Sequence, residues 1–365
     1  MTKAHFLIVV SIFIYLNKVN GQITKSEFET SIKAGVDPYF VKSKDTVSVH
    51  GPNCIVRNVL QDKKGNVWLA TWQGIMCYDG KVFTNFTLKN DLIKFHVFSL
   101  FEDSKGDLWF GTARGGLYRY NGRSFTLFTV KDGLADNTVL CMAEDNAGNI
   151  WLGTENGASC YNGKTFTNFT TQNGLSGNYI NSMIKDKTGK LWFGTNSGIS
   201  WYDSKAFTSF KYKDGMHFEG VASLFEDKNG NVWIGTSKGL CNYDGKSLSD
   251  FFVSNFVMYM CKDKKGNLLL AYNTYPLNTH SVLYRYDGKS FVKIMEETNS
   301  GTIFGIIEDK SGNIWMGTGL GVCCFDAIKG DNPCVKRTCK HDLPWQEATK
   351  EHNEQLAKSY TYFKE

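Results

Sequence analysis

Short apolar strands alternate with polar turns along most of the chain. In one clear unit, Thr138–Glu144 is an apolar run typical of a strand buried on both faces, and Asn149–Thr154 alternates apolar and small residues. Ala158–Tyr161 and Lys164–Thr170 follow as two more extended segments, with turns rich in Gly and Asn between all four. The pattern therefore predicts a four-stranded antiparallel meander.

This unit recurs seven times. Each copy has an Asp-x-x-Gly turn, and these turns begin at Asp62, Asp103, Asp145, Asp186, Asp227, Asp263 and Asp309, at intervals of 41, 42, 41, 41, 36 and 46 residues. Six residues after each Asp stands a Trp, except in the sixth copy, which has Leu269. A period of about 40 residues made of short strands is typical of propellers and solenoids. We predict an all-β fold, a single seven-bladed β-propeller of four-stranded blades with the aromatic residues packed between blades.

The two ends of the repeat region depart from this pattern. The seventh copy has no fourth-strand sequence after Asp326, whereas Tyr39–Val49 is extended and rich in β-branched residues. We therefore expect this N-terminal strand to close the last blade. Pro344–Phe363 has apolar residues at spacings of three and four, which predicts a short amphipathic helix that packs on the propeller or docks a partner.

The N-terminus has the features of a secretory signal peptide. Lys3 precedes the apolar run Phe6–Leu16, and Val19–Gly21 is typical of a cleavage site. The run is shorter than the roughly 20 residues that span a bilayer. We predict a signal peptide at 1–21, an N-terminal segment at 22–50, the propeller at 51–328 and a tail at 329–365. The mature protein is expected in the periplasm or secreted, the alternative being an uncleaved N-terminal anchor.

Charge and cysteine content narrow the function classes. Loss of Lys3 and Lys18 with the signal peptide lowers the formal net charge from +5 to +3, too little to indicate nucleic-acid binding. Most of the ten cysteines lie within strands and are expected to be small buried hydrophobic residues. Cys334 and Cys339 flank a polar segment, and a disulfide between them is left open. No sequence motif indicates a metal or a cofactor, because the Asp-x-x-Gly turns offer too few oxygen ligands for calcium.

The full unit, Glu-Asp-x-x-Gly-Asn-Ile-Trp-x-Gly-Thr followed by Tyr-Asp-Gly-Lys-x-Phe-x-x-Phe, resembles the two-component regulator propeller repeat over about Gly51–Asp326. That resemblance implies a seven-bladed propeller of the kind found in the periplasmic sensor regions of bacterial sensor kinases. It implies a sensing or binding role and, as a ligand class, a carbohydrate. No stretch resembles a kinase core or a receiver, so phosphotransfer is not expected of this chain.

Comparison of the seven copies separates two faces of the predicted propeller. The Asp-x-x-Gly and Tyr-Asp-Gly turns are nearly identical in every blade and share one face, which also carries one Lys or Arg per blade. These basic side chains would bind an acidic glycan or lipid headgroups, or they would simply be exposed to solvent. On the opposite face, hereafter the variable face, the copies differ. The predicted ligand-binding residues there are Trp72, His96, Arg114, Glu155, Asn196, His217, Lys238, Tyr272, Tyr275 and His280.

The sixth blade is the most irregular, because Tyr272–Ser281 lengthens one of its variable-face turns. We expect an exported ligand-binding or sensory module and no enzyme. The alternatives are a scaffold that binds another envelope protein and a propeller lyase or hydrolase, in which His217 would act with Glu219 or Glu155. No catalytic residue is assigned, since no motif fixes the geometry of these groups.

Overall fold

The computed structural model describes residues 37, 40–43, 45–210, 218, 220–253, 256–273, 281–297 and 302–326. Several sequence-based expectations fall elsewhere in the chain. The signal peptide, the C-terminal helix, the Cys334–Cys339 pair, and three predicted site residues (His217, Tyr275 and His280) lie outside the described residues.

The described residues form seven antiparallel sheets, one for each sequence repeat. The strands of blades 1 to 3 are β1 (Val47–Ser48), β2 (Val56–Gln61), β3 (Val67–Thr71), β4 (Gly74–Tyr78), β5 (Phe83–Asn85), β6 (Val97–Glu102), β7 (Leu108–Thr112), β8 (Leu117–Tyr120), β9 (Phe125–Phe128), β10 (Val139–Glu144), β11 (Ile150–Thr154), β12 (Gly157–Tyr161) and β13 (Phe166–Phe169). Those of blades 4 to 7 are β14 (Ile180–Lys185), β15 (Leu191–Thr195), β16 (Gly198–Tyr202), β17 (Phe207–Phe210), β18 (Val221–Glu226), β19 (Val232–Thr236), β20 (Gly239–Tyr243), β21 (Leu248–Val253), β22 (Phe256–Lys262), β23 (Leu268–Asn273), β24 (Ser281–Tyr286), β25 (Phe291–Glu297), β26 (Ile303–Glu308), β27 (Asn313–Thr318) and β28 (Gly321–Asp326).

Among the described residues, helix is found only in connections between blades. Helix α1 (Phe86–Lys89) follows the first blade, and short 3₁₀ helices occupy Val130–Asp132 and Thr171–Asn173. Both 3₁₀ turns have a capping box and end at a glycine in the left-handed region. The local sequence thus defines how the chain leaves one blade and enters the next.

The blades form a closed ring. The first strand of each blade (β2, β6, β10, β14, β18, β22 or β26) contacts that of the next, and β26 contacts β2. These strands have no sheet partner on their inner edge, so together they surround a central channel. The predicted seven-bladed propeller of four-stranded blades is confirmed; among the described residues, blade 1 has a fifth strand and blade 7 has three.

The recurring aromatic residues pack between blades, as predicted. Trp151 of blade 3 is 2% exposed, and its ring lies 5.6 Å from that of Phe193 and 5.0 Å from that of Tyr202, both in blade 4. Phe169 of its own blade stacks on it at 5.2 Å. Burial of such side chains supplies most of the stabilisation that holds neighbouring blades together.

A hydrogen bond that the sequence did not reveal joins the turn Asp to the Trp. In the six blades that have the Trp, its indole Nε1 donates to the Asp carboxylate over 2.8–3.1 Å. The same carboxylate accepts backbone N–H groups of its own turn, as expected; Asn149 N lies 2.9 Å from Asp145 Oδ1. The Asp therefore fixes the turn and orients the Trp for interblade packing.

Blade 6 replaces this pair with an ion pair. Leu269 stands in the Trp position and is completely buried among aliphatic residues. Arg285, directly opposite it on β24, places its Nε 3.0 Å from Asp263 Oδ2. A guanidinium thus stands where the other blades have an indole N–H.

The glycine of Trp-x-Gly-Thr lies where the next blade approaches closely. A Cβ at Gly153 would lie 2.4 Å from Cys141 Sγ and 2.8 Å from Ile180 Cγ2. At the ring closure, a Cβ at Gly317 would lie 2.6 Å from the Val56 carbonyl oxygen. Since backbone atoms cannot move aside as a flexible side chain can, the Gly317 position excludes a larger residue. Blades 1 and 6 have Ala70 and Ala271 at the corresponding positions.

The N-terminal strand pairs with the first blade, and the prediction that it closes the last blade is wrong. Val47 pairs with Thr84 and Ser48 with Phe83, so β1 lies along the outer edge of β5. The reason is local: β5 is a three-residue strand with an open edge, and residues 45–48 reach it directly from the variable face, where Asn85 N donates to Thr46 O over 2.8 Å.

Ring closure depends instead on hydrogen bonds that recur between blades. In four interfaces, the backbone N–H that follows the turn Asp donates to the Glu preceding the next turn, as from Lys187 to Glu226 over 2.8 Å. Between blades 7 and 1, Lys310 N donates to Gln61 Oε1 over 2.7 Å, and Lys310 Nζ donates to the Asp62 and Lys63 carbonyl oxygens. Gln61 therefore takes the role of the Glu at the closure.

We expect the free energy of unfolding to fall in acid through the turn carboxylates. Burial by itself would raise the pKa of Asp145, Asp186 and Asp309, but hydrogen bonds from the Trp indole and the turn N–H groups lower it below the ordinary value of 3.8. A lowered folded-state pKa stabilises the protein above the unfolded-state pKa, and this contribution is lost as pH falls through the folded-state value. Denaturant titrations should therefore give a lower unfolding free energy at pH 3 than at pH 5; an unchanged value would contradict this role.

Candidate functional site

The variable face is built from the turns between second and third strands and from the crossings between blades. In six blades this turn is held by a threonine hydroxyl that donates to a glycine carbonyl, as from Thr154 to Gly157 over 2.7 Å. Blade 2 has one extra residue in this turn, and Arg114 adopts φ 70°, the left-handed region that is uncommon for residues other than glycine. The insertion thus presents Arg114 differently from the corresponding residues of other blades.

Trp72 and His96 are brought together but are covered. Their rings lie 5.1 Å apart, and each side chain is 4% exposed. His96 Nδ1 and His96 N both contact the carboxylate of Asp37, and Val41 N donates to the Trp72 carbonyl oxygen over 2.8 Å. Asp37 and Val41 therefore lie against these two residues, whose side chains are buried and contribute little to the surface of the variable face.

Arg114, Glu155 and Tyr179 form an electrostatic group on adjacent blades 2, 3 and 4. Burial and the charge of Asp136 raise the pKa of the Glu155 carboxyl, whereas Arg114 acts to lower it. Burial and the Glu155 charge raise the pKa of the Tyr179 hydroxyl, and Arg57 opposes this effect. The Tyr179 phenol is thus neutral at physiological pH. Glu155 interacts electrostatically with Arg114, Asp136 and Tyr179, and Tyr179 interacts in turn with Arg57.

The other described site residues are more dispersed. Asn196 N donates to the Tyr179 carbonyl oxygen over 3.1 Å, and Asn196 Oδ1 is buried with no hydrogen-bond partner. Lys238 is exposed on blade 5. Tyr272 stacks on Tyr284 at 5.6 Å and packs against the interface of blades 5 and 6. The structure therefore groups Arg114 and Glu155 with Tyr179, and Asn196 contacts the backbone of Tyr179.

Arg57 is a site residue that the sequence analysis missed. It lies on β2, at a break in the strand register between Val56 and Asn58. All seven innermost strands have this break at the same position, near the variable face, and the residues there are Arg57, Phe98, Leu140, Asn181, Ala222, Met258 and Phe304. An alignment of the seven copies at this position would have singled out Arg57, because it is the sole charged member of the set.

The described part of the chain contains no cluster of three or more His, Cys, Asp and Glu residues placed to hold a metal ion. Within the same residues, no helix has the length and apolar character needed to cross a bilayer. Burial raises the pKa of the Cys54 and Cys77 thiols to about 12. The ionised form of these two thiols is therefore rare, in keeping with their expected role as buried apolar residues.

The fold and its repeated turns define a class: a seven-bladed propeller with structurally uniform blades and one variable face. Six segments, residues 50–73, 96–114, 133–156, 174–197, 215–238 and 298–319, match the model of the two-component regulator propeller. Six segments of the chain are therefore repeats of this family, which confirms the resemblance seen in its motifs. No curated protein sequence matches the chain significantly.

Solved structures support the same assignment. The extracellular domain of BT4673 from B. thetaiotaomicron, described as a one-component system, is 25% identical with a TM-score of 0.63 over 77% of this chain and 40% of that one. The extracellular domain of BT3049 from the same organism, described as a hybrid two-component system, is 25% identical with a TM-score of 0.63 over 80% and 41%. The chain thus spans about two fifths of the length of these proteins and corresponds to a propeller domain of the two-component-regulator sensor type.

A propeller enzyme shares the fold. Virginiamycin B lyase from Staphylococcus aureus, in a catalytically inactive form with quinupristin, is 16% identical with a TM-score of 0.60 over 76% of this chain and 97% of the lyase. At this identity the likeness concerns the fold alone.

Proposed function

We propose that this propeller is an exported ligand-binding or sensory module that takes a carbohydrate or another cell-envelope ligand on its variable face. The observation that carries the proposal is the group formed by Arg114, Glu155 and Tyr179, where charged and polar side chains from three adjacent blades interact on a face whose loops differ between copies. Variable loops on a rigid scaffold are the usual location of binding sites. The similarity to extracellular domains of sensor systems supports both the sensory role and export.

The chemistry of this group suits a ligand rich in hydroxyl groups. A guanidinium supplies only donors, a carboxylate supplies acceptors, and a neutral phenol supplies both. Because Glu155 is partly desolvated, hydrogen bonds that a ligand makes to it are stronger than they would be in bulk water. The buried Trp72 contributes packing beneath the site, and no stacking platform from it is needed for this proposal.

Substitution of Arg114 tests the proposal. We expect Arg114→Ala to weaken binding of a glycan found on an array by at least about tenfold, since a hydrogen bond to a charged group contributes about 1.5–3 kcal/mol. The dissociation constant would be measured by calorimetry. Arg123→Ala is the matched control, because Arg123 is an exposed arginine in a turn of the opposite face.

Equal loss in both variants, or no loss in Arg114→Ala, would contradict the assignment to the variable face. In that case the alternative is favoured, a scaffold that binds an envelope protein through the opposite face. That face exposes Lys81, Arg123, Lys164, Lys205, Lys246 and Lys289. Turnover of the bound glycan in the same assay would instead favour the lyase or hydrolase alternative.

A further inference from the structure

Arg57 occupies an unusual place for a charged residue. Its strand is the innermost of blade 1, and the register break places it at the variable-face end of the central channel. Its Cζ lies 5.0 Å from the ring centroid of Phe98 and 4.6 Å from that of Phe304, and these are the residues at the same break in the two neighbouring blades. The guanidinium of blade 1 is therefore held between two aromatic rings, one from blade 2 and one from blade 7.

These contacts orient the guanidinium and use none of its N–H donors. Cation–π contacts act through the ring faces and contribute about 0.5–2 kcal/mol each, whereas the five N–H donors need acceptors. No carboxylate pairs with Arg57 and no hydrogen bond is made by its side chain anywhere in the described ranges. Burial lowers the pKa of Arg57 to about 10, which still leaves the group protonated at physiological pH.

A positive charge that is desolvated without a counter-ion is costly to keep unless something else compensates it. Arg57 remains partly accessible to the channel, so a small anion from solution can reach it. The aromatic walls would exclude water around a bound anion, which strengthens the interaction. The arrangement thus has the properties of a prepared anion-binding position rather than of a structural ion pair.

The charges nearby favour a singly charged anion. Arg57 and Arg114 are matched in number by Glu155 and Asp136 in the same electrostatic group. With these charges balanced, the group has no excess positive charge that would select a dianion such as phosphate over a monoanion. A carboxylate also fits the planar fork of a guanidinium through two parallel hydrogen bonds.

We propose that the variable-face end of the central channel binds the carboxylate of a small monoanionic ligand through Arg57, between the rings of Phe98 and Phe304. Tyr179, which precedes the first strand of blade 4, interacts electrostatically with Arg57. The inference deepens the proposed function, because it names the chemical class of the group that enters the channel: an acidic sugar fits, and a neutral one lacks the partner for Arg57.

The test compares D-galacturonate with D-galactose, which has a hydroxymethyl group in place of the carboxylate, and with two small anions. Binding of D-galacturonate, D-galactose, acetate and inorganic phosphate to the full chain would be measured by calorimetry at constant ionic strength. We expect D-galacturonate and acetate to bind saturably, and D-galacturonate to bind at least about tenfold more tightly than D-galactose, as loss of a charged hydrogen-bond partner predicts. Phosphate should bind more weakly than D-galacturonate.

Variants locate the effect. Arg57→Gln should abolish the preference for D-galacturonate over D-galactose, and Arg57→Lys, which keeps the charge but not the fork, should weaken it by about tenfold. Arg123→Gln on the opposite face should leave it unchanged. Circular dichroism would show whether Arg57→Gln folds. If it does not, the weakened preference of Arg57→Lys tests the role of Arg57 in its place.

The inference is overturned if neither carboxylate binds better than D-galactose, if Arg57→Gln retains the preference, or if phosphate binds most tightly. A glycan whose binding requires Arg114 but not Arg57 would overturn the inference and leave the proposed function intact. If a carboxylate binds through Arg57 but no glycan on an array is bound, the proposed function is overturned and the inference stands.

Discussion

Trp151→Ala is expected to lower the free energy of unfolding by about 3–5 kcal/mol, the range for removal of a large buried aromatic side chain. Trp151 is 2% exposed and packs against Phe169, Phe193 and Tyr202, so its loss would open a cavity between blades 3 and 4. Denaturant unfolding followed by tryptophan fluorescence and by circular dichroism would give the value. The two probes should agree if the ring unfolds cooperatively.

Trp151→Phe separates packing from hydrogen bonding. It keeps an aromatic ring but removes the indole N–H that donates to Asp145 over 2.9 Å. We expect a smaller loss of about 1–2 kcal/mol from the weakened hydrogen bonding of Asp145. A fall in melting temperature of less than a couple of degrees for Trp151→Ala would contradict an interblade role for this residue.

Arg285→Ala is expected to cost about 2–3 kcal/mol, because it removes the cation beside a buried carboxylate. The side chain of Asp263 is 3% exposed, and blade 6 has Leu269 where other blades have the Trp donor. Arg119→Ala in blade 2 is a close control. Arg119 has the same strand position and a similar exposure of 34% against 31%, but Trp109 still donates to Asp103 there.

Unfolding free energies of the two alanine variants, measured under the same conditions, show whether Arg285 compensates for the missing Trp donor in blade 6. We expect Arg119→Ala to cost about 1 kcal/mol, as for a partly exposed ion pair. Equal costs for the two variants would mean that Arg285 does not compensate for the missing Trp.

The repeat made the fold predictable. Seven copies of one unit determine the blade number, and the positions of Trp and Tyr within the unit predict that they lie between blades. The strand that pairs with Val47–Ser48 was predicted incorrectly, because sequence shows which segments can form an edge strand but not which open edge lies nearer. That choice depends on where Asp37, Val41 and Thr46 make their long-range contacts, and no local sequence pattern indicates these contacts.

The candidate site was predictable only in part. Divergence among the turns singled out the variable face with Arg114 and Glu155. The structure brings these two residues close enough to interact electrostatically, and ligand binding by them stays a prediction. It could not indicate that Asp37 and Val41 cover His96 and Trp72, since this contact joins residues far apart in sequence. Arg57 was missed because a single arginine in an apolar strand has no motif; its role becomes visible only when the register breaks of all seven blades align around the channel.

The pairing of β1 with β5 has a consequence for how the chain folds. All five strands of blade 1 come from one continuous stretch, Val47–Asn85, so this sheet needs no residue from the far end of the chain. Contacts between residues close in sequence form early because they close short loops. Blade 1 can therefore finish its sheet as the N-terminal part of the chain emerges, and the later blades can add to it in order until Lys310 meets Gln61.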